Sequence, residues 1–199
     1  MNVILLSFFK FAVLATLGEV IALRMRTGSF IQKNFGVLPR AIIWGLFGIV
    51  ISWAFVLFSR GTPALLTSLG WCDAELVFAT AGFSWGKLGV AFCVSVAMNT
   101  IFAPVFMSFH KITDMHITRY NGSMRCFLHP INITRSFREL EWEKLWSFVF
   151  KKTIPFFWYP AHTITFMLPD EWRVLFAALL SIALGILLAI DGKKVKVTS

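Results

Sequence analysis

His110, Asp114, His116 and His129 form the one group in this sequence that combines imidazole and carboxylate within a short stretch. Such groups bind metals or move protons, but these spacings match no strong zinc pattern. They read as part of a solvated loop, and neither a metal nor another cofactor is expected. An enzyme acting on lipid would need His110, Asp114 and His116 to converge at the membrane surface. The chain has no glycine-rich phosphate loop, no G-x-S-x-G elbow and no H-E-x-x-H helix, so the motifs argue against an enzyme. Cys72, Cys93 and Cys126 fall in separate segments without a Cys-x-x-Cys pair and read as plain thiols.

Other polar residues stand inside apolar stretches, where an ionisable or amide group is a functional candidate by default. Glu19 and Lys10 share the first such stretch, but nine residues set them near opposite faces of a helix, so they are not expected to pair. Asn99 precedes Pro104 in NTIFAPVF and either lines a pathway or bonds a neighbouring helix. His162 lies in IPFFWYPAHTITFMLP and either gates a proton or donates to a carbonyl freed by the prolines. Glu19, Asn99 and His162 are the candidate pathway-lining residues.

The elements that must hold them are membrane-crossing helices. Hydrophobic residues make up 57% of the 199, more than a soluble domain carries, and a crossing takes about 20 apolar residues. The fold class expected is all-α, one polytopic bundle of about five spans at 3–23, 41–59, 88–109, 147–168 and 173–190. The first span is read as retained rather than cleaved, because it lacks a basic leading region and a clear cleavage site. Residues 60–86 are too broken by Gly61, Pro63, Gly70, Asp73 and Glu75 to cross, although 76–83 could lie in the interface. A long polar loop covers 110–146. Inside it, Ser136 and Glu139 have capping-box spacing, which predicts a surface helix from Phe137 with Trp142, Leu145, Trp146 and Val149 on one face.

Pro104, Pro155 and Pro160 each remove a backbone donor and are expected to kink their helices. Small residues recur every four positions at Ala91, Ser95, Asn99 and Ala103, and at Ala177, Ser181, Gly185 and Ala189. Gly45, Gly48 and Ser52 hint at the same pattern. In lipid such seams permit close van der Waals packing, so these helices should face protein or, in a homo-oligomer, another copy.

The net charge of +9 is explained by topology rather than by nucleic acid. Four Lys and Arg lie between spans one and two (Arg24, Arg26, Lys33, Arg40). Eight follow span three and three occupy the tail (Lys193, Lys194, Lys196), so 15 of the 19 share one side of a five-span chain. The other side has Arg60, Lys87 and Arg173. This asymmetry predicts a cytoplasmic C-terminus and anionic lipid headgroups as partners of the basic loop. Two glycosylation acceptor patterns, at Asn121 and Asn132, fall in that inside loop and are expected to stay unmodified.

Taken together, MNTIFAPVF and IPFFWYPAHTITFMLPDEWR resemble the Mpv-seventeen and peroxisomal membrane protein family, small multi-spanning proteins of organelle membranes. Asn99 stands before Phe102, Ala103 and Pro104 as a polar residue does in the family's Phe-Ala-Pro core. Trp158, Pro160, Phe166, Pro169 and Arg173 resemble its later Trp-Pro, aromatic, Pro and Arg pattern. Gly18-Glu19, Arg40, Gly45 and Trp53 resemble its first half more loosely. Met98-Asn99 stands where the family usually has Asp-Gln, and Glu19 where it has Asp. The resemblance implies a membrane protein, channel-like, of a bacterial inner membrane or, in a eukaryote, of an organelle. The expected function is a channel or transporter-like pathway for ions or small solutes. The alternative is a non-transporting scaffold that binds helices through its seams and lipid through its loop.

Overall fold

A computed structural model describes residues 3–30 and 32–197, with side chains for 4–30 and 32–186. Among the described residues all regular structure is helical. The helices are α1 (Val3–Thr27), α2 (Val37–Ser68), α3 (Ala74–Ala79), α4 (Trp85–Ile101) and α5 (Ala103–Arg119), then α6 (Ile133–Glu139), α7 (Trp142–Lys144), α8 (Tyr159–Met167) and α9 (Asp170–Val197). A 3-10 turn covers Met124–Leu128 and a π-helix covers Leu145–Trp158. By length and composition α1 and α2 can cross a membrane, and α4 with α5 can form a third crossing bent by 46°. The charges of Lys193, Lys194 and Lys196, and the seam position Ala189, lie outside the described side chains.

The apolar run of α1 ends where Gly28 takes φ +78°, a left-handed conformation that a side chain disfavours. Its amide closes on the Arg24 carbonyl at 2.9 Å, and Arg24 and Arg26 occupy the last turn, where cations suit the helix dipole. Helix α2 differs from expectation at both ends. It begins at Val37, so Arg40 belongs to its first turn and not to a loop, because Pro39 is tolerated near a helix start. It also continues past Ser59, through Gly61 and Pro63, to Ser68. Thr62 and Pro63 are buried, and that packing outweighs the one backbone bond lost to proline.

Helix α4 begins at Trp85, ahead of the expected start, because the Ser84 hydroxyl accepts the Lys87 amide at 3.1 Å and caps it. The bend falls at Phe102, two residues before Pro104, whose ring has no N–H to continue the ladder. The polar stretch after it is not a loop throughout: α5 runs on to Arg119, carrying His110, Asp114 and His116 on a helix. The surface helix begins at Ile133 rather than Phe137. Asn132 caps it, its side-chain oxygen accepting the Arg135 amide at 2.9 Å, while Ser136 sits buried mid-helix. Leu140 then turns extended and breaks the chain, so Trp142 and Trp146 stay exposed while Leu145 is buried, and the expected single face does not form.

Contacts group the chain into two compact units. The first contains Met1–Val50, His110–Leu140 and Val174–Ser199. In it small residues let helices touch. A Cβ on Gly18 would lie 2.9 Å from the Ile182 Cα, and one on Gly185 would lie 3.0 Å from the Gly18 carbonyl oxygen. Gly45 and Gly48 likewise receive Phe8 and Phe11 of α1. The second unit contains Ile51–Phe109 and Glu141–Arg173. Ala91, Ser95, Asn99 and Ala103 are all buried there, and α4 packs chiefly on α8. Pro155 sits inside the π-helix and Pro160 in the first turn of α8. The wider π turn shows in the Tyr159 amide, which reaches back five residues to the Ile154 carbonyl.

Candidate functional site

Three helices of the first unit converge on one charged cluster. On α2, Arg40 and Trp44 are four residues apart and share a face; on α5, His110 and Asp114 do the same; α1 contributes Glu19. The Arg40 Nη1 donates to Glu19 Oε2 at 2.9 Å and also to Asp114 Oδ1. Trp44 Nε1 donates to Glu19 Oε1 at 2.9 Å, and His110 Nε2 contacts the same oxygen at 3.2 Å. His110 Nδ1 lies 3.8 Å from Asp114 Oδ2.

Arg40 is itself held, its Nε donating to the Phe35 carbonyl at 2.7 Å while its guanidinium lies 4.6 Å from the centroid of the Phe35 ring. Gly36 makes that approach possible. It adopts φ +69°, and a Cβ there would stand 2.6 Å from the Gly122 Cα, so the loop before α2 lies directly on the turn after α5. The His110 ring packs on Trp44 at a centroid distance of 4.5 Å. The four charged or titratable side chains are 10–22% exposed, which leaves the cluster within reach of small ions.

Glu19 is therefore the one pathway candidate placed among charges. Lys10 is half-buried elsewhere on α1. The reading of His110 and Asp114 as solvated loop residues does not survive, because α5 continues as a helix and turns both inward onto α1 and α2. The other two members of that group diverge from them. His116 is buried and bonds the Cys126 carbonyl at 2.9 Å, and His129 is exposed, stacked on Tyr120.

In the second unit, Asn99 and His162 meet each other. His162 Nδ1 lies 3.0 Å from Asn99 Oδ1, and Asn99 Nδ2 donates to the Ser95 carbonyl at 2.8 Å. The amide oxygen can only accept, so His162 donates through Nδ1. Ser95 Oγ in turn donates to the Tyr159 carbonyl at 2.8 Å, and Trp158 stacks on His162 at 4.9 Å. Asn99 and His162 are both buried. Arg173 closes the unit below, donating to the Leu168 and Phe166 carbonyls at 3.0 and 3.1 Å.

Two further arginines form a surface network in the first unit. Glu139 accepts from Arg135 Nε at 2.6 Å and from Arg119, and Arg119 also donates to Ser136 Oγ at 3.0 Å. The hydrogen bond from Arg135, and then that from Arg119, hold the Glu139 carboxyl below the usual glutamate range.

No protein-family model, curated protein or solved structure matches this chain. Its chemistry is read from its own side chains. The sequence pairs His110 with Asp114 and singles out Glu19 elsewhere, but it does not link the two, reads Arg40 only as a loop charge and does not single out Trp44. The signal is two i,i+4 pairs, Arg40 with Trp44 and His110 with Asp114, which straddle or lie beyond the expected span limits and become helical neighbours only because α2 and α5 are longer.

Proposed function

We propose that this chain is a multi-pass membrane protein whose helices handle a cation or small solute, transporter-like rather than catalytic. The observation that carries the reading is the cluster of Glu19, Arg40, His110 and Asp114, set against helices that are apolar enough to cross a membrane. Two carboxylates, a guanidinium and an imidazole in such helices are costly to bury and serve best where charge must be bound and released. Glu19 lies eight residues before the end of α1 and Arg40 in the first turn of α2, which sets the cluster near one end of both helices. In the five-crossing topology, with the basic loops and tail in the cytoplasm, that end faces inward. The resemblance of MNTIFAPVF and the late Trp-Pro segment to the Mpv-seventeen family agrees with a channel-like membrane protein.

The scaffold reading has less support, because Gly18, Ser181 and Gly185 are engaged with each other inside the chain instead of offering a bare seam. Exposed Arg125, Arg138, Lys151 and Lys152 suit anionic headgroups under either reading. Flux of alkali and divalent cations and of small neutral and charged solutes into proteoliposomes tests the proposal. Transport by wild type that is lost in a folded Glu19→Gln variant supports it. No transport across the panel returns the argument to the scaffold. Topology is tested separately by labelling single cysteines at 34, 121 and 194, which should all react from the same side.

A further inference from the structure

From the same cluster we infer that Glu19, His110 and Asp114 bind a divalent first-row metal cation, with Arg40 and Trp44 holding the carboxylates in position. Among the described residues these three are the one group whose ligand atoms, one from each side chain, all lie within 4.8 Å of one another. The carboxylates are divided between two tasks. Arg40 takes Oε2 of Glu19 and Oδ1 of Asp114, so the opposite oxygens, Oε1 and Oδ2, face His110. Two donors on one tetrahedral ion with bonds of about 2.0–2.2 Å stand roughly 3.4 Å apart. Glu19 Oε1 and His110 Nε2 are already 3.2 Å apart. Asp114 Oδ2 stands 3.8 Å from the other ring nitrogen, Nδ1, so ion binding requires the Asp114 side chain or the imidazole to reorient.

Charge points the same way. Two carboxylates against one guanidinium leave the cluster one positive charge short, and a bound cation would supply it in place of the proton that His110 holds toward Glu19. A mixed nitrogen and oxygen donor set favours zinc, manganese, iron or cobalt over calcium or magnesium, which prefer oxygen alone. The fixed donors Arg40 and Trp44 resemble the outer-shell groups that orient carboxylate ligands in metal sites. A separate observation comes from Thr16, one turn before Glu19 on the same face of α1. Its hydroxyl is buried and, among the described residues, is the one buried side-chain polar atom without a hydrogen-bond partner. With the three ligand side chains 18–22% exposed, an ion can reach them.

This inference rests on the reading of the cluster as a cation-handling site, yet binding is measured without transport. Metal-stripped full-length protein in detergent is titrated with Co2+, and its visible absorption bands are followed, then challenged with Zn2+. The expected result is one Co2+ per chain, displaced by Zn2+, lost in Glu19→Gln and Asp114→Asn and weakened about tenfold or more in Trp44→Phe. His129→Ala, outside the cluster and stacked on Tyr120, should bind as wild type. Absence of uptake by folded wild type, or uptake unchanged in Glu19→Gln, overturns the inference. Should the carboxylate variants fail to fold, X-ray absorption at the cobalt edge of wild type decides: one imidazole with oxygen ligands supports the site, and no imidazole removes it. Binding without flux would remove transport and leave the site, and flux without binding would do the reverse.

Discussion

The Glu19 carboxylate accepts the Arg40 guanidinium at 2.9 Å, which ties the last third of α1 to the first turn of α2. Arg40 also reaches Asp114 on α5, so one side chain neutralises two carboxylates that would otherwise repel. Removing it should leave both anions uncompensated at a half-buried position. Arg40→Met is expected to lower unfolding stability in detergent by about 2–4 kcal/mol, somewhat less than a fully buried pair because the cluster is partly exposed. Chemical unfolding followed by tryptophan fluorescence reads the change.

Asn99 and His162 are joined in a buried chain of hydrogen bonds through Ser95 to the Tyr159 carbonyl. Asn99→Ala strands the His162 Nδ1–H and is expected to cost about 1–3 kcal/mol in the same unfolding assay. Transport should persist in this variant, since its role is to lock α4 to α8. Loss of flux with unchanged stability would return Asn99 to the pathway.

Gly18 meets α9 backbone to backbone, and a Cβ there would come within 2.9 Å of Ile182 Cα. Backbone atoms cannot yield as a flexible side chain does, so Gly18→Val is expected to destabilise by about 1–3 kcal/mol. Gly61→Ala is the comparison, because a Cβ there meets nothing within 4 Å. It should be neutral or slightly stabilising, since alanine is the better helix former.

These three positions mark what the sequence revealed and what it hid. The all-α class and helices long and apolar enough to cross a membrane follow from composition and hydropathy, and the seam through Ala91, Ser95, Asn99 and Ala103 is buried as its four-residue spacing implied. The seam of α9 showed in Ser181 and Gly185, but its counterpart is the single Gly18, which no repeat announces. Helix ends were misplaced where proline and glycine looked like stops. Packing carried α2 through Gly61 and Pro63, and the capping-box pattern at Ser136 lost to Asn132. The charge cluster was hidden for the same reason, since Arg40, His110 and Asp114 fell just beyond the expected span limits and only the longer helices turn them inward.

Acid should loosen α6. The Glu139 carboxyl is held below the ordinary glutamate value of 4.5 by Arg135 and Arg119. Its contribution is therefore complete above about pH 4.5 and is lost as pH falls through the lower folded value. Hydrogen exchange in Ile133–Glu139 should accelerate over that acidic range in wild type, while Glu139→Gln should exchange faster already at neutral pH and show little further change.

The most direct measurement compares cation flux through wild type, Glu19→Gln and Asn99→Ala in proteoliposomes at matched protein content and orientation. Flux is expected in wild type and Asn99→Ala and its loss in Glu19→Gln, with all three folded. Flux in Glu19→Gln equal to wild type would contradict the proposed function, because the charged cluster would then have no part in the movement of ions.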